Sequence, residues 1–381
     1  MRALASRLLA ILLIGSLAAW PVAKKSKKKK SPHAAAVKRP RKKIKGTWRQ
    51  RVPKPPPVSE AARSRAAESV TTGLDLPLDR SLYNPAALIP FYEMLYRLER
   101  QELTGPVRVL HYGDSHTAAD DWTGTIRSLL QARFGDGGPG FTLAGHPFPG
   151  FRRLDAKGWE SGRWTTDGLV GHKSDGFNGL GGVSISTSRA GESVSLEAGC
   201  RLLELYYLQQ PDGGELELSD AGTPLGSIPT AGDTVAPAYY HAELPAGEHR
   251  LSLRTTSRGE VRLFGWVAEN ESGITYESMG INGAQASIVL NWDEALLAAH
   301  VARRNPALIV LAYGTNEASN SAYNYESYYQ MYSEVIRRFR AAAPAATILA
   351  VGPPDRYRRV RGKWQLFDST EWIIRAQRDA A

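Results

Sequence analysis

The sequence predicts an α/β protein: a flavodoxin-like parallel sheet between helices, interrupted by an inserted β-sandwich or jelly roll. Three observations carry this. Continuous apolar strands alternate with amphipathic helices both before and well after the middle of the chain. Between those two stretches, over residues 181–270, helical spacing gives way to short alternating runs. The first 54 residues belong to neither pattern and are set apart by charge.

The chain has 381 residues, 42% hydrophobic, enough for one large domain or two ordinary ones. Its formal net charge of +10 is unevenly spread. Residues 24–54 hold fifteen Lys and Arg and no acid, while from residue 55 onward 31 basic residues face 38 acidic ones. The part expected to fold is therefore mildly acidic, and the basic balance does not imply a nucleic-acid-binding fold. The lone cysteine, Cys200, allows no intrachain disulfide and no cysteine-based metal site.

Residues 1–23 read as a secretory signal peptide. Arg2 and Arg7 precede the apolar run Leu8–Ala19, and Ser16-Leu17-Ala18 offers small residues for cleavage. The run is short for a membrane span, which needs roughly 20 apolar residues, and no cysteine follows it to carry a lipid anchor. Residues 24–80 then read as a disordered linker, basic and rich in proline, with almost nothing to bury. Such a signal implies export, so the mature chain would meet the outside of the membrane and the cell envelope. There the stretch 24–54 can bind an anionic envelope polymer or membrane surface, at about 1 kcal/mol per basic residue near a charged membrane; the plainer reading is a solvated spacer.

The first part of the α/β domain, 81–180, opens with helical spacing over 86–103. Val107 to Tyr112 is a strand broken at Gly113, and Asp120 to Phe134 is the next helix. Gly135 to Gly140 is a loop. The second part, 271–381, holds a strand at Thr275–Met279 and a helix at Ile288–Ala302. A strand at Ala307–Tyr313, a helix at Tyr325–Ala343, a strand at Thr347–Val351 and a final helix at Thr370–Ala380 follow. In such sheets ligands sit beyond the carboxyl ends of the strands. In the insertion, Tyr206, Tyr207, Tyr239, Tyr240, Trp266 and His241 offer two readings: a sugar-stacking surface, or sandwich core, the commoner fate of such aromatics.

The polar motifs fall at strand ends. Gly113-Asp114-Ser115-His116 lies between the first strand and a helix, where a serine hydroxyl is lifted into the cleft. Gly280-Ile281-Asn282-Gly283-Ala284 follows a strand, and Gly283 can present a bare backbone N–H. Gly314-Thr315-Asn316-Glu317 follows another, and Asn316 can offer its amide. Ser115 N–H, Gly283 N–H and the Asn316 side chain together would make an oxyanion hole. No P-loop, no G-x-S-x-G elbow and no metal-spaced histidine cluster is found, and serine ester hydrolysis needs no cofactor.

The order G-D-S, N-G, G-T-N-E, each after a parallel strand, resembles blocks I to III of the SGNH/GDS hydrolase superfamily. The strings Gly113 to Asp120 and Phe134 to Phe141 resemble the branch containing peptidoglycan O-acetylesterases, which carry a carbohydrate-binding-like β-sandwich between blocks I and II. The resemblance covers roughly residues 85–355. It implies Ser115 as nucleophile and Gly283 and Asn316 as oxyanion donors. It also implies a C-terminal D-x-x-H pair, yet none of the eight histidines follows Asn316. The sequence therefore reads as truncated, with no general base of its own, His116 and His111 being poorly placed substitutes. Three functions follow: an esterase removing O-acyl, chiefly O-acetyl, groups from an envelope polysaccharide such as peptidoglycan; an acetyltransferase using the same serine; or an inactive carbohydrate-binding protein on a degenerate esterase frame.

Overall fold

The computed structural model describes residues 82–381, together with Glu60, Ala61 and Ser64, which are exposed and helical. The expected signal peptide and the basic stretch 24–54 lie outside the described residues.

A short 3-10 turn at Pro85–Leu88 leads into α1 (Ile89–Glu99), which buries Phe91, Leu95 and Leu98 at helical spacing. Strand β1 (Val107–Gly113) is almost wholly buried. It runs into the single-turn α2 (Ser115–Ala118) and then α3 (Asp121–Phe134), which buries Ile126, Leu130 and Phe134. The antiparallel part follows: β2 (Gly140–Leu143), β3 (Lys157–Glu160), β4 (Thr165–Asp167), β5 (Ser184–Thr187), β6 (Ser193–Gln209), β7 (Glu215–Asp220), β8 (Thr223–Pro229), β9 (Ala236–Thr255) and β10 (Val261–Glu269). The chain then returns to the α/β frame with β11 (Ile274–Gly280), α4 (Glu294–Arg304), β12 (Leu308–Ala312), α5 (Tyr325–Ala342) and β13 (Thr347–Ala350). A hairpin of β14 (Tyr357–Val360) and β15 (Lys363–Leu366) precedes α6 (Ser369–Ala380).

The four parallel strands are ordered β11-β1-β12-β13. The chain steps from β1 to one neighbour, β11, and afterwards to the other, β12, so the order reverses around β1. The crevice at such a switch point is where open α/β sheets bind ligands, and three motifs end there. The helical periods hold where burial supports them: α5 buries Tyr328, Tyr332, Val335 and Phe339 along one stripe.

Two segments depart from the sequence reading. The helix expected at 288–302 is instead a 3-10 turn, Ala286–Asn291, and a separate α4. Asp293 divides them, because its side chain accepts the Leu296 N–H at 2.8 Å and caps a new helix. The antiparallel sheet also begins ahead of residue 181, since β2 and β3 pair with β10 and β6, and β4 with β5.

That sheet has nine strands. Strand β6 exchanges one neighbour midway, pairing first with β3 and later with β10, while its pairing with β9 runs throughout with a register shift at Cys200/Leu202. Such a bulge turns a corner, folding the sheet over its own core. Alternation divides the side chains of β6. Leu203, Leu205 and Tyr207 enter the sandwich core, while Tyr206 and Leu208 enter the core shared with the parallel sheet. On β10 a second shift, between Leu263 and Gly265, reverses the parity. Val261 and Leu263 before it, and Trp266 and Ala268 after it, therefore face the same sandwich core. Of the six residues considered for a sugar-stacking surface, Tyr206, Tyr207 and Trp266 are buried, so they are core. Tyr239 is half-buried with the Arg303 guanidinium 4.1 Å from its ring centre. The insertion is thus welded to the α/β frame through shared apolar side chains such as Phe141, Tyr206 and Phe264.

Candidate active site

The site is built on adjacent ends of β11, β1 and β12. Gly113 and Gly280 are register partners on β1 and β11. A β-carbon at Gly280 would lie 2.1 Å from the Ala118 nitrogen and 2.5 Å from the Asp114 carbonyl oxygen. Only glycine lets the turn carrying Ser115 press this closely on the neighbouring strand. Asp114 caps α2 by accepting the His116 N–H at 2.9 Å, and Ser115 opens the turn with its side chain exposed. Its hydroxyl makes no hydrogen bond among the described residues.

The second and third motifs are tied to the first by backbone. Ile281 N–H donates to the Gly113 carbonyl at 3.1 Å. Gly283 has φ +77°, a left-handed conformation that side chains resist, and its N–H donates to no group among the described residues. The Asn316 Nδ2 donates to the Ala284 carbonyl at 2.8 Å, which spends one amide hydrogen and leaves the other. The three residues singled out from sequence, Ser115, Gly283 and Asn316, therefore sit on the loops that follow three neighbouring strands.

Sequence reasoning passed over the groups that hold this frame. Glu317 is buried, and its carboxylate accepts from Ala286 N–H at 2.8 Å and Gly314 N–H at 3.0 Å, clamping the second motif to the third. Arg356 donates to the Thr315 carbonyl. The only signal for the clamp was the Glu of G-T-N-E, whose partner at Ala286 is distant in sequence.

Burial pushes the Glu317 carboxyl up to about 7, against the pull of its backbone donors. The folded state then holds its proton longer than the unfolded state. The sign follows: this stabilisation is full below about 4.5 and is lost as pH rises towards 7. The unfolding free energy from urea titration is expected to fall between pH 5 and pH 8, by up to about 3 kcal/mol from this group. Glu317→Gln should flatten that slope while costing about 1–3 kcal/mol throughout, since an amide satisfies only one of the two N–H groups. An unchanged slope in the variant would assign the pH dependence elsewhere.

The histidines are far from equivalent. His111 is fully buried on β1, its Nδ1 2.7 Å from the Tyr276 hydroxyl, and burial lowers it to about 3. His300 is likewise buried, ringed by Tyr206, Tyr239 and Phe264, and lowered to about 3. His249 is paired with Asp220 at 2.6 Å inside the insertion. His116 Nδ1 is 2.9 Å from the Asp114 carboxylate, with its side chain 56% exposed. Successive helix positions point about 100° apart, so this ring is turned away from Ser115.

No family model and no curated protein matches the sequence. Among solved structures, a peptidoglycan O-acetylesterase superposes with a TM-score of 0.64 at 26% identity, over 79% of this chain and 83% of that one. The fold is that of an SGNH-type esterase. A family two carbohydrate esterase from Clostridium thermocellum in complex with cellohexaose matches 53% of this chain and 80% of that one, at 14% identity and a TM-score of 0.23. A carbohydrate-binding module from Cellvibrio mixtus lichenase 5A in complex with cellotriose matches 34% of this chain and 94% of that one, at 17% and 0.22. Those two overlaps are too loose to bear on the fold. The SGNH frame gives the order of the motifs its sense: blocks I, II and III end the strands β1, β11 and β12, side by side at the switch point.

Proposed function

We propose that the protein is an exported serine esterase that removes O-acetyl groups from a cell-envelope carbohydrate such as peptidoglycan. What supports this is the position of Ser115, Gly283 and Asn316 after three neighbouring parallel strands, β1, β11 and β12, of an SGNH fold. The Ser115 oxygen attacks the acetyl carbonyl carbon, and its proton goes to a base. The carbonyl electrons move onto oxygen, where Ser115 N–H, Gly283 N–H and the free Asn316 amide hydrogen receive the charge. Collapse expels the sugar oxygen, which takes up the proton, and leaves an acetyl-serine. Water then attacks that ester and releases acetate. A sugar hydroxyl in place of water would make the same intermediate a donor for acetyl transfer.

Acetate release from O-acetylated peptidoglycan, followed with and without an unacetylated glycan acceptor, tests the reading. It should be carried out on a form extended by a D-x-x-H segment. Ser115→Ala must abolish release. Acetyl groups appearing on the acceptor instead of in solution would favour the transferase, and carbohydrate binding without release would favour a binding protein.

Residues 24–54 are proposed to hold the enzyme on anionic envelope material, because fifteen positive charges there face no negative one. Sedimentation with isolated cell walls is expected to fall steeply between low salt and about 0.5 M, where screening acts over only a few ångströms. Equal binding by a form lacking those residues would remove the proposal.

A further inference from the structure

The hairpin between β13 and α6 stands apart from both cores. All eight positions of β14 and β15 are exposed. Its two-residue turn, Arg361-Gly362, has φ of +48° and +82°, the sign pattern of the type I′ turns that close tight hairpins. Asn, Asp or Gly usually takes the first of these positions; here the strain falls on an arginine, which leaves a cation at the tip. The base is fastened to the loop after β12. Arg356 donates to the Thr315 carbonyl, Phe367 N–H donates to the Arg356 carbonyl at 2.9 Å, and Ser369 Oγ donates to the Ala318 carbonyl at 2.5 Å.

Charge and apolarity coincide on this ribbon. From Arg356 to Phe367 there are five cations and no acid, although from residue 55 onward acids outnumber bases, 38 to 31. Arg358, Arg359, Arg361 and Lys363 are exposed and form no ion pair among the described residues. Cross-strand partners share a face, so the register groups Tyr357 and Leu366 with Arg359 and Trp364. Trp364 is 72% exposed, more than any other large apolar side chain among the described residues, and Tyr357 and Leu366 are exposed beside it. The other face is partly taken at its base, where the Arg358 guanidinium lies 5.1 Å from the Phe367 ring centre. A two-stranded ribbon without cover is marginal in water, so whatever covers the tryptophan face also steadies it.

Charge and apolar surface together select the occupant. The basic stretch 24–54 carries the same sign and is repelled. A second copy meeting this face by two-fold symmetry brings like cations together. A hydrated polyanion satisfies the cations but leaves Trp364, Leu366 and Val360 in water. An anionic lipid surface meets both needs, with headgroups for the cations and an interfacial zone that tryptophan and tyrosine favour.

We propose that the hairpin 357–366 docks on an anionic phospholipid surface, with Trp364, Tyr357 and Leu366 entering the interface and the four exposed cations reaching the headgroups. The inference stands apart from the esterase reading, since no catalytic group takes part in it. Each cation near such a surface is worth about fivefold in partition.

The test sediments the full chain with vesicles of phosphatidylglycerol and phosphatidylcholine, and with vesicles of phosphatidylcholine alone. Salt is set at about 0.15 M and then at about 0.5 M, where the charges of 24–54 act over only a few ångströms. Trp364→Ser with Leu366→Ser leaves every charge in place. This pair is expected to lower partition onto the anionic vesicles at least about tenfold, and the loss should persist at the higher salt. Arg359→Gln with Lys363→Gln should lower it about 25-fold at the lower salt and leave the neutral vesicles unaffected. Lipids brominated on their acyl chains should quench part of the tryptophan emission of the bound protein. Trp364→Phe, which keeps an aromatic ring and the binding, should remove that quenching. Quenching unchanged in Trp364→Phe overturns the proposal. Partition lowered by the glutamine pair and not by the serine pair would leave a polyanion as the occupant. A dimer formed without vesicles and dispersed by the serine pair would assign the face to a second copy. Either result overturns the proposal as well.

Discussion

Purified as it stands, the 381-residue chain is expected to hydrolyse a small aryl acetate at no more than a residual rate. A form extended with a D-x-x-H segment from a close relative is expected to gain about 10²–10⁴ in kcat, the usual contribution of a positioned general base. The reason is protonation. A serine hydroxyl attacks an ester usefully only when a base within about 3 Å removes its proton. His111 is sealed behind Tyr276 and Trp122, with its ring lowered to about 3 by burial. His116 holds Asp114 through Nδ1 and makes no hydrogen bond to the Ser115 hydroxyl among the described residues. The oxyanion donors alone can leave a rate about 10³–10⁴ above water, as crippled triads do. Exogenous imidazole offers an independent check: it should accelerate the short form and leave the extended form unchanged. Robust turnover by the short form, abolished by Ser115→Ala and by His116→Ala, would make the Asp114–His116 pair the base.

What could be read from sequence was set by range. The parallel frame was legible because buried strands such as Leu308–Ala312 are continuous apolar runs and end at glycine. The placement of Ser115, Gly283 and Asn316 was legible because each comes shortly after a strand of the parallel sheet, and topology brings strand ends together. The rest depended on contacts between distant residues. A one-residue shift at Leu263/Gly265 decides which face of β10 meets which core, and no propensity marks it. The hairpin Tyr357–Leu366 exposes all eight of its strand positions, so it has no burial pattern to find. The apolar spacing of 288–302 runs through a break that only the cap at Asp293 creates. The glycine-rich loop 168–178 reads as punctuation, yet it forms one wall of a cleft beside Gly283.

The buried charges between insertion and frame lead to the second large expectation, which concerns stability. Arg304 on α4 is 2% exposed and donates to Glu269 Oε1 at 2.6 Å and to the Glu277 carboxylate. Glu269 ends β10, the last strand of the insertion, and is also gripped by Arg108 through two bonds of 2.8 Å. Glu277 lies on β11, the strand that carries block II, and is fully buried. Arg304→Met keeps the stem of the side chain but strands the Glu277 carboxylate with the Thr275 hydroxyl as its remaining side-chain donor. Removing one partner of a buried pair costs about 3–5 kcal/mol, because the charge left behind is uncompensated. The cost should depend on pH. Glu269 is held down to about 2 by Arg304 first and then Arg108, against the opposing effect of its burial. Its stabilisation is present above about 4.5 and is lost as pH falls towards 2, so the variant's deficit should be largest near neutral pH and shrink in acid. Adding Glu277→Leu to Arg304→Met removes the stranded charge and should restore at least about 2 kcal/mol, an interaction energy readable from a double-mutant cycle of urea midpoints. A single-variant loss under about 1 kcal/mol, or strict additivity in the cycle, would mean that water reaches this network. The insertion would then be fixed to β11 by its apolar seam alone.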